Sequence, residues 1–450
     1  MLSTTHPRRV LLVSYLFPPI GGGGVQRALK MARYLPQFQW HPTVLTAHEH
    51  AYHATPDPSL LQQLPGETEI LRAGHPDLRR WLSRPSRTSE DSGHQEPGRR
   101  TGWKSLLADM LRAARDRYLL PDEQIVWLPS ALWSAWRSHQ KRPYDAIVST
   151  SGPYTNHLVA LYLHRWTGLP WVADFRDPWS QNMHRPTDPW RRQVEEDLEA
   201  QVVRECDCLT TVTQGFADQF RARYGGQIKR LHIIYNGYDP EDWQAVYPRT
   251  VPDKLSFLYA GILYGKRSPA VFLKALRRCL DEGWVDGHRV IAQFAGVFDY
   301  PGHDDHRRLV KQLQLEEQVQ LLGNLPHREV LQRQAGAGVL LLIGDHSPDA
   351  GAYIPGKLFE YMAARRPILA LQREGEASRL IREHGLGIVV EPDDPDEAAR
   401  AIAEYYQQWL AGALKLPPAT PENLRTFHRR EQARQMANIL DELCRAAHPV

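Results

Sequence analysis

The chain is poor in cysteine, and its charges nearly balance. Four cysteines among 450 residues are too few for a disulfide framework, and Cys206 and Cys208 are too closely spaced for a zinc knuckle. With 55 basic and 52 acidic residues the formal net charge is +3, which is less than a dedicated nucleic-acid-binding protein carries. We therefore expect buried, reduced cysteines and no nucleic-acid partner.

Long apolar runs are also missing. The run Val10–Phe17 follows Arg8 and Arg9 as in a weak signal peptide, but Pro18 stands where a small-residue cleavage site would be needed. We interpret this run as a first buried strand. Val339–Ile343 is far shorter than the ~20 residues that span a bilayer. We expect a cytoplasmic protein, with the inner face of the membrane as a peripheral location.

Strand and helix patterns alternate along the chain. The chain opens with a β-α-β unit, which consists of the strand Arg9–Tyr15, a glycine turn, a helix over about 25–35 and the strand Thr43–Thr46. The same alternation restarts at the strand Ser256–Tyr259. Such alternation predicts parallel sheets with helices on both faces. At ~100–200 residues per domain, the length fits two domains. The predicted fold class is therefore α/β, with two doubly wound Rossmann-like domains.

The predicted domain boundaries follow this pattern. Residues 1–236 form the first domain, 237–420 the second, and 421–450 a helix that crosses back to the first. Residues 73–102, rich in Arg, Ser, Pro and Gly, predict an exposed insertion. Residues 103–118 form a basic amphipathic pattern that fits either a helix packed on its own domain or one that faces a membrane.

Glycines follow the first strand of each half. Gly22, Gly23 and Gly24 lie between a strand and a helix, where free N–H groups can bind a phosphate. The dinucleotide fingerprint G-x-G-x-x-G is not met, because Gln26 occupies the sixth position from the first glycine of the run. Gly261 begins G-I-L-Y-G-K, one residue too short for a P-loop. The alternative for the first run is a tight turn without a ligand.

Two cations follow the glycine of the second half. Ligands of doubly wound sheets bind outside the carboxyl ends of the strands. Lys266 and Arg267 come just after such an end and predict stabilisation of a leaving diphosphate. Solvated surface charge is the alternative.

A second anion-binding candidate opens a later helix. Pro355 and Gly356 precede the helix, so several backbone N–H groups are free there. Lys357 and Glu360 share one face, and Glu360 is placed to accept hydrogen bonds from ribose hydroxyls. A plain helical ion pair is the alternative.

Charged residues elsewhere suggest two further sites. Arg176 and Asp177 follow a strand and predict either an acceptor contact or a structural ion pair. The run from His303 to His306 contains two histidines and two aspartates but lies in a polar segment, which we interpret as a solvated loop rather than a metal site.

Four segments resemble the retaining family-four glycosyltransferases of the GT-B fold. They are Phe17-Pro18-Pro19 with the glycine run, Asp174–Trp179, Tyr235–Asp239 and Pro355–Leu369. The similarity spans nearly the whole chain apart from residues 73–102, and is greatest to bacterial enzymes of polysaccharide assembly.

This resemblance implies two domains that face a cleft, a UDP- or GDP-sugar donor, and transfer to a hydroxyl with retention. It further implies no metal or other cofactor. The basic amphipathic pattern over 103–118 suggests a lipid-linked glycan as the acceptor. His157 would contact the donor sugar, and with Asp177, Lys266 and Arg267 it completes the candidate catalytic group.

The chain departs from the family at one position. The family carries two glutamates separated by seven residues; Glu360 matches the second, and Ala352 stands in place of the first. Asp345 and Asp349 are candidate substitutes. The departure keeps two alternatives open, a nucleotide-sugar epimerase or phosphorylase on the same fold and a catalytically silent glycosyltransferase-like subunit.

Overall fold

The computed structural model describes residues 8–51, 57–74, 119–182, 188–244, 246–263, 265–300, 302–418 and 423–447. The chain divides into two compact units, each built on its own sheet. Unit 1 comprises Met1–Thr211, Phe220–His232 and Ala433–Val450, and unit 2 comprises Val212–Gln219 and Ile233–Gln432.

Unit 1 contains a seven-stranded sheet of order β3-β2-β1-β4-β5-β6-β7. The strands are β1 (Arg8–Val13), β2 (Trp40–Ala47), β3 (Glu69–Ala73), β4 (Ala146–Thr150), β5 (Trp171–Phe175), β6 (Cys208–Thr211) and β7 (Leu231–Ile233). The pairs from β3 to β6 are parallel. The central strands are almost wholly buried, as expected for a parallel sheet covered on both faces.

Unit 2 contains a six-stranded parallel sheet of order β10-β9-β8-β11-β12-β13. Its strands are β8 (Leu255–Ala260), β9 (Val290–Ala295), β10 (Val319–Gly323), β11 (Val339–Ile343), β12 (Ile368–Leu371) and β13 (Gly387–Val390). The strand order reverses beside β8, because β9 lies on one side of it and β11 on the other. Ligands of such sheets bind at this reversal.

Helices connect the strands. They are α1 (Gly23–Tyr34), α2 (Leu128–Lys141), α3 (Thr155–Thr167), α4 (Pro189–Glu205), α5 (Gln214–Tyr224), α6 (Ala270–Asp281), α7 (Asp305–Gln312), α8 (His327–Gly336), α9 (Lys357–Ala364), α10 (Glu376–Glu383), α11 (Pro395–Leu410) and α12 (Arg429–Ala447). In both units apolar faces of the helices pack on the sheet to form the core. None of the described helices is both long and apolar enough to cross a membrane. The four cysteines are free, and three of them are buried.

The predicted α/β class with two Rossmann-like sheets is confirmed, and several local predictions need correction. The segment from His303 to His306 is only partly a loop, since α7 begins at Asp305, where the Asp299 carboxylate accepts a hydrogen bond from the His306 N–H. The last helix begins at Arg429, not near residue 421. The predicted insertion from residue 75 onward and the amphipathic pattern over 103–118 lie outside the described residues.

Candidate functional site

A groove of about 250 Å³ lies outside the carboxyl ends of β8 and β9 in unit 2. Its lining comes from the ends of both strands, the segment before α8, and helices α8 and α9. The lining residues are Ala260, Gly261, Ile262, Ala295, Gly296, Asn324, Leu325, Val330 and Glu360. Its position next to the strand-order reversal makes it the candidate ligand site of this unit.

Two glycines form the floor of the groove. Gly261 and Gly296 have φ angles of +136° and +107°, which residues with a side chain rarely adopt. A Cβ atom on Gly296 would lie 2.2 Å from the carbonyl oxygen of Gly261. The two strand ends can therefore approach closely only because both positions are glycine. Sequence reasoning selected Gly261 and missed Gly296, although each directly follows a strand of the same half.

Substitution of the second glycine tests whether this floor serves a ligand. Gly296→Ala is expected to lower nucleotide affinity by about tenfold or more, because the added Cβ must displace the backbone of Gly261. A displacement that costs ~1.4 kcal/mol of binding free energy is enough for a tenfold loss of affinity. Isothermal titration with nucleoside diphosphates measures the change. Gly283→Ala is the matched control: its φ of +69° is also unfavourable for alanine, but nothing lies within 4 Å of the added Cβ. Equal losses of affinity in both variants would mean that backbone strain alone causes the effect.

Lys357, the first residue of α9, lies directly beside this floor. Its Nζ is 3.7 Å from the centre of the Tyr259 ring, and a Cβ on Gly261 would lie 2.8 Å from the same atom. Burial and, to a smaller extent, the charge of Arg267 lower the pKa of Lys357 to about 7, although the charge of Glu360 opposes both. An anion bound here would favour the protonated amine.

Glu360 lies one turn further along α9 and lines the groove itself. Gln334 Nε2 donates to its Oε2 at 3.1 Å, and His327 Nε2 lies 3.5 Å from Oε1. Burial works against ionisation, but the hydrogen bonds from His327 and Gln334 outweigh it and hold the pKa of Glu360 below its ordinary value. The side chain therefore presents a carboxylate that accepts hydrogen bonds at neutral pH.

The remaining predicted residues of unit 2 surround this pair. Pro355 and Gly356 precede α9, and Gly356 is exposed at the helix N-terminus. Arg267 is partly buried and acts on Lys357 through its charge, whereas Lys266 is exposed. The structure thus brings Gly261 and Glu360 to one groove, places Lys357 beside Gly261, and leaves Arg267 in electrostatic range of Lys357.

In unit 1, Arg176 ties together two loops at the carboxyl end of the sheet. Its Nη1 donates to the Gly24 carbonyl and its Nε to the Ser151 carbonyl, both at 2.7 Å. Burial lowers the pKa of Arg176, while the charges of Asp177 and Asp174 raise it. The Arg176 side chain therefore holds the predicted glycine run in place through a hydrogen bond to the backbone of that run. A substrate contact of Arg176 or Asp177 stays a prediction.

Asp174 is a buried anion that sequence reasoning did not select. It accepts hydrogen bonds from Arg27 Nε at 2.8 Å and Nη2 at 2.7 Å, and from the hydroxyls of Thr150 and Thr210. Burial favours its neutral form, but the Arg27 charge and these hydrogen bonds outweigh burial and hold the pKa of Asp174 below its ordinary value. The strongly paired carboxylate fixes α1 against the sheet.

His157 lies inside unit 1, with no exposed surface. Its Nδ1 is 2.8 Å from Ser149 Oγ, which also accepts a hydrogen bond from Trp171 Nε1, and its ring packs on Phe175. Burial lowers the pKa of His157 to about 3, so the ring is neutral at physiological pH. The predicted contact with a donor sugar stays a prediction.

Ala352, at the position of the missing family glutamate, packs against Gly215 of the same unit. A Cβ on Gly215 would lie 3.0 Å from the Ala352 Cβ, and the Gly215 N–H donates to Glu376 Oε1 at 2.8 Å. A carboxylate from α10 therefore lies beside Ala352. Asp345 is buried and accepts a hydrogen bond from the Ser347 N–H, and the side chain of Asp349 lies outside the described residues.

Comparisons with known proteins agree with the two-unit architecture. Residues 86–242 match the family model Glycosyltransferase Family 4, and residues 248–419 match Glycosyl transferases group 1. A sucrose-phosphate synthase from Thermosynechococcus elongatus has the same fold, with a TM-score of 0.64 and 15% identity over 98% of this chain and 100% of that one.

Two curated relatives match shorter stretches. D-inositol 3-phosphate glycosyltransferase 1 of Catenulispora acidiphila is 26% identical over 214 residues, 45% of this chain and 50% of the relative. The probable glycosyltransferase WbjE of Pseudomonas aeruginosa is 37% identical over 112 residues, 24% of this chain and 28% of the relative. The chain thus spans half or less of the length of these relatives. The chain therefore contains a region that matches a family 4 glycosyltransferase domain, followed by one that matches a group 1 glycosyltransferase domain, and it has the GT-B fold.

Proposed function

We propose that the chain transfers a sugar from a UDP- or GDP-sugar to an acceptor hydroxyl with retention at the anomeric carbon. One observation carries the proposal: from the first turn of α9, Glu360 lines the groove and Lys357 lies beside Gly261, one of the two glycines of its floor. The cation suits a diphosphate and the carboxylate suits ribose hydroxyls. Retention and a role in polysaccharide assembly rest on the family resemblance, and the lipid-linked glycan acceptor rests on the basic amphipathic pattern over 103–118.

The chemistry of the proposed step is charge separation. As the bond between the anomeric carbon and the diphosphate oxygen breaks, negative charge grows on the departing diphosphate. Lys357 and Arg267 would stabilise this charge, together with Lys266 and the backbone amides near Gly356. One well-placed donor is worth ~3 kcal/mol in such sites. The departing phosphate would accept the proton of the attacking hydroxyl on the same face of the sugar.

The two alternatives are not favoured. An epimerase would convert its donor without an acceptor, and a silent subunit would need no charged groove. Both matched family models and both curated relatives are glycosyltransferases by name. The groove also retains an ionised glutamate, and a partly buried lysine lies beside its floor.

A panel of nucleotide sugars tests the proposal directly. A donor at ~100 times its dissociation constant should stabilise the protein by ~2.7 kcal/mol, which a thermal shift assay detects. The stabilising donor is then incubated with and without hydroxyl acceptors, and the products are followed by mass spectrometry. Conversion of the donor sugar to an isomer without an acceptor would support the epimerase instead, and a panel without any stabilising member would contradict the proposal.

Donor binding should also depend on pH in a defined direction. Free Lys357 titrates at about 7, and the bound diphosphate raises this pKa, so binding takes up a proton. Affinity should be constant below that pH and fall by about tenfold per unit above it. Titration calorimetry of the nucleotide sugar in buffers of different ionisation enthalpy measures the uptake. Lys357→Arg should abolish it, because arginine does not titrate in this range; an unchanged pH profile in that variant would assign the uptake to another group.

A further inference from the structure

Unit 1 has an unusual distribution of exposed aromatic side chains. Among its described residues, every large hydrophobic side chain that is exposed lies on α2, α3 or α4, and each is a tryptophan or a tyrosine. They are Trp133, Trp136, Tyr162, Trp166 and Trp190. Trp133 and Trp166 are the most exposed, at 59% and 58%. Single exposed apolar residues need no explanation, but a concentration on adjacent helices indicates a binding surface.

Topology puts these side chains on one surface. The crossovers from β3 to β4 and from β4 to β5 run in the same direction across the sheet, so right-handed connections place α2 and α3 on the same side. The two helices pack side by side. Asp122, just before α2, accepts hydrogen bonds from the Thr155 N–H and hydroxyl at the start of α3 and so ties the two together. Their outward faces therefore form one continuous surface.

Each of the two helices contributes a pair of aromatic side chains to this surface. Trp133 and Trp136 stack with centroids 5.5 Å apart. Tyr162 and Trp166 are four residues apart and share one face of α3. The inward face of α2 is buried through Ala131, so the tryptophans are not needed for the core. We call the surface of Trp133, Trp136, Arg137, Lys141, Tyr162 and Trp166 the α2–α3 face.

The charge of this face has one sign. Neither α2 nor α3 contains an aspartate or glutamate, and Arg137, Lys141 and the following Arg142 are exposed. Arg165 of α3 is paired with Glu205 at the end of α4, with Nε and Oε2 2.7 Å apart. The cationic excess therefore lies on α2, beside the tryptophan pair.

We propose that the α2–α3 face docks on the surface of a bilayer that contains anionic phospholipids. Tryptophan and tyrosine are the side chains enriched at membrane–water interfaces, where the ring is apolar and one atom stays hydrogen-bonded. Exposed cations next to them are attracted by anionic headgroups. A protein partner would instead favour an interface centre depleted of charge. The proposal does not rest on transfer chemistry, because vesicle binding is measured without a donor.

Vesicle flotation of the full chain at low salt tests the proposal. The wild-type protein should bind vesicles in which about a quarter of the phosphatidylcholine is replaced by phosphatidylglycerol, and bind pure phosphatidylcholine much less, since each cation near the surface adds to the attraction. Trp133→Ser/Trp136→Ser/Trp166→Ser and, separately, Arg137→Glu/Lys141→Glu should each lower the partition coefficient by about tenfold or more. Tyr247→Ser/Tyr300→Ser, which removes exposed aromatics of unit 2, should leave it unchanged.

Several results would overturn the proposal. The proposal is wrong if the wild-type protein does not bind anionic vesicles. It is also wrong if the variants of the α2–α3 face bind these vesicles as well as the wild type does. A dimer that the tryptophan variant converts to a monomer would assign the face to a second copy of the chain. A large fall in melting temperature with unchanged vesicle binding would mean that the chain itself covers the face. Nucleotide binding by both variants confirms that they are folded, and it also separates this proposal from the proposed transfer function.

Discussion

Lys357→Ala is expected to lower the turnover of the nucleotide-sugar donor by about 10²–10³-fold, the effect of removing one preorganised donor to a developing anion. The lysine is held against Tyr259 and Gly261, and burial has already removed part of its hydration. Its attraction to the diphosphate therefore increases as charge grows during bond cleavage. Steady-state kinetics with the donor found in the panel measures the loss.

The control for this variant is Lys274→Ala. Lys274 lies on α6 of the same unit and is exposed, so its removal should leave the rate unchanged. Lys357→Arg keeps the charge with a different shape and should retain part of the activity. A Lys357→Ala protein with wild-type kcat and KM would show that the diphosphate binds elsewhere.

Asp174→Asn should destabilise unit 1 by about 3–5 kcal/mol, because it leaves the buried Arg27 charge without its counter-ion. Both side chains are almost completely buried, and the bidentate contact has a shortest distance of 2.7 Å. With ~2–4 °C of melting temperature per kcal/mol for a unit of this size, the first thermal transition should fall by about 10 °C. Differential scanning calorimetry measures it.

A surface ion pair provides the comparison. Arg165 and Glu205 also form a two-pronged contact, but both side chains are partly exposed. Glu205→Gln should cost less than about 1 kcal/mol, since solvent screens such pairs. If both substitutions shift the melting temperature equally, burial of the Asp174 pair is not what makes it important.

The fold could be predicted because its signals are local and repeated. Continuous apolar strands such as Val339–Ile343 indicate a parallel sheet, and the restart near Ser256 indicates a second one. Helix α2 was not among the predicted elements, although Ala131, Leu132 and Ala135 follow the helical spacing of its buried face.

The site could be predicted only in part. Gly261, Lys357 and Glu360 were selected because each stands at a strand end or a helix start, where ligands bind. Asp174 and Gly296 were not, since their roles depend on contacts with residues far away in sequence, Arg27 and Gly261. For His157 the family resemblance implied a contact with the donor sugar, and only the packing around it shows that the ring is buried.

The central claim is that the groove at Glu360 and Lys357 binds the donor nucleotide, and a double-mutant cycle on the ribose tests it most directly. The affinities of wild-type and Glu360→Ala proteins are measured by calorimetry for the bound nucleoside diphosphate and for its 2′,3′-dideoxy analogue. If Glu360 accepts hydrogen bonds from the ribose, loss of the hydroxyls weakens binding to wild type and has almost no effect in the variant, a coupling of about 0.5–3 kcal/mol. The claim would be contradicted if the losses of affinity from Glu360→Ala and from removal of the ribose hydroxyls were additive. It would also be contradicted if the Glu360→Ala protein bound the nucleoside diphosphate with the affinity of the wild type.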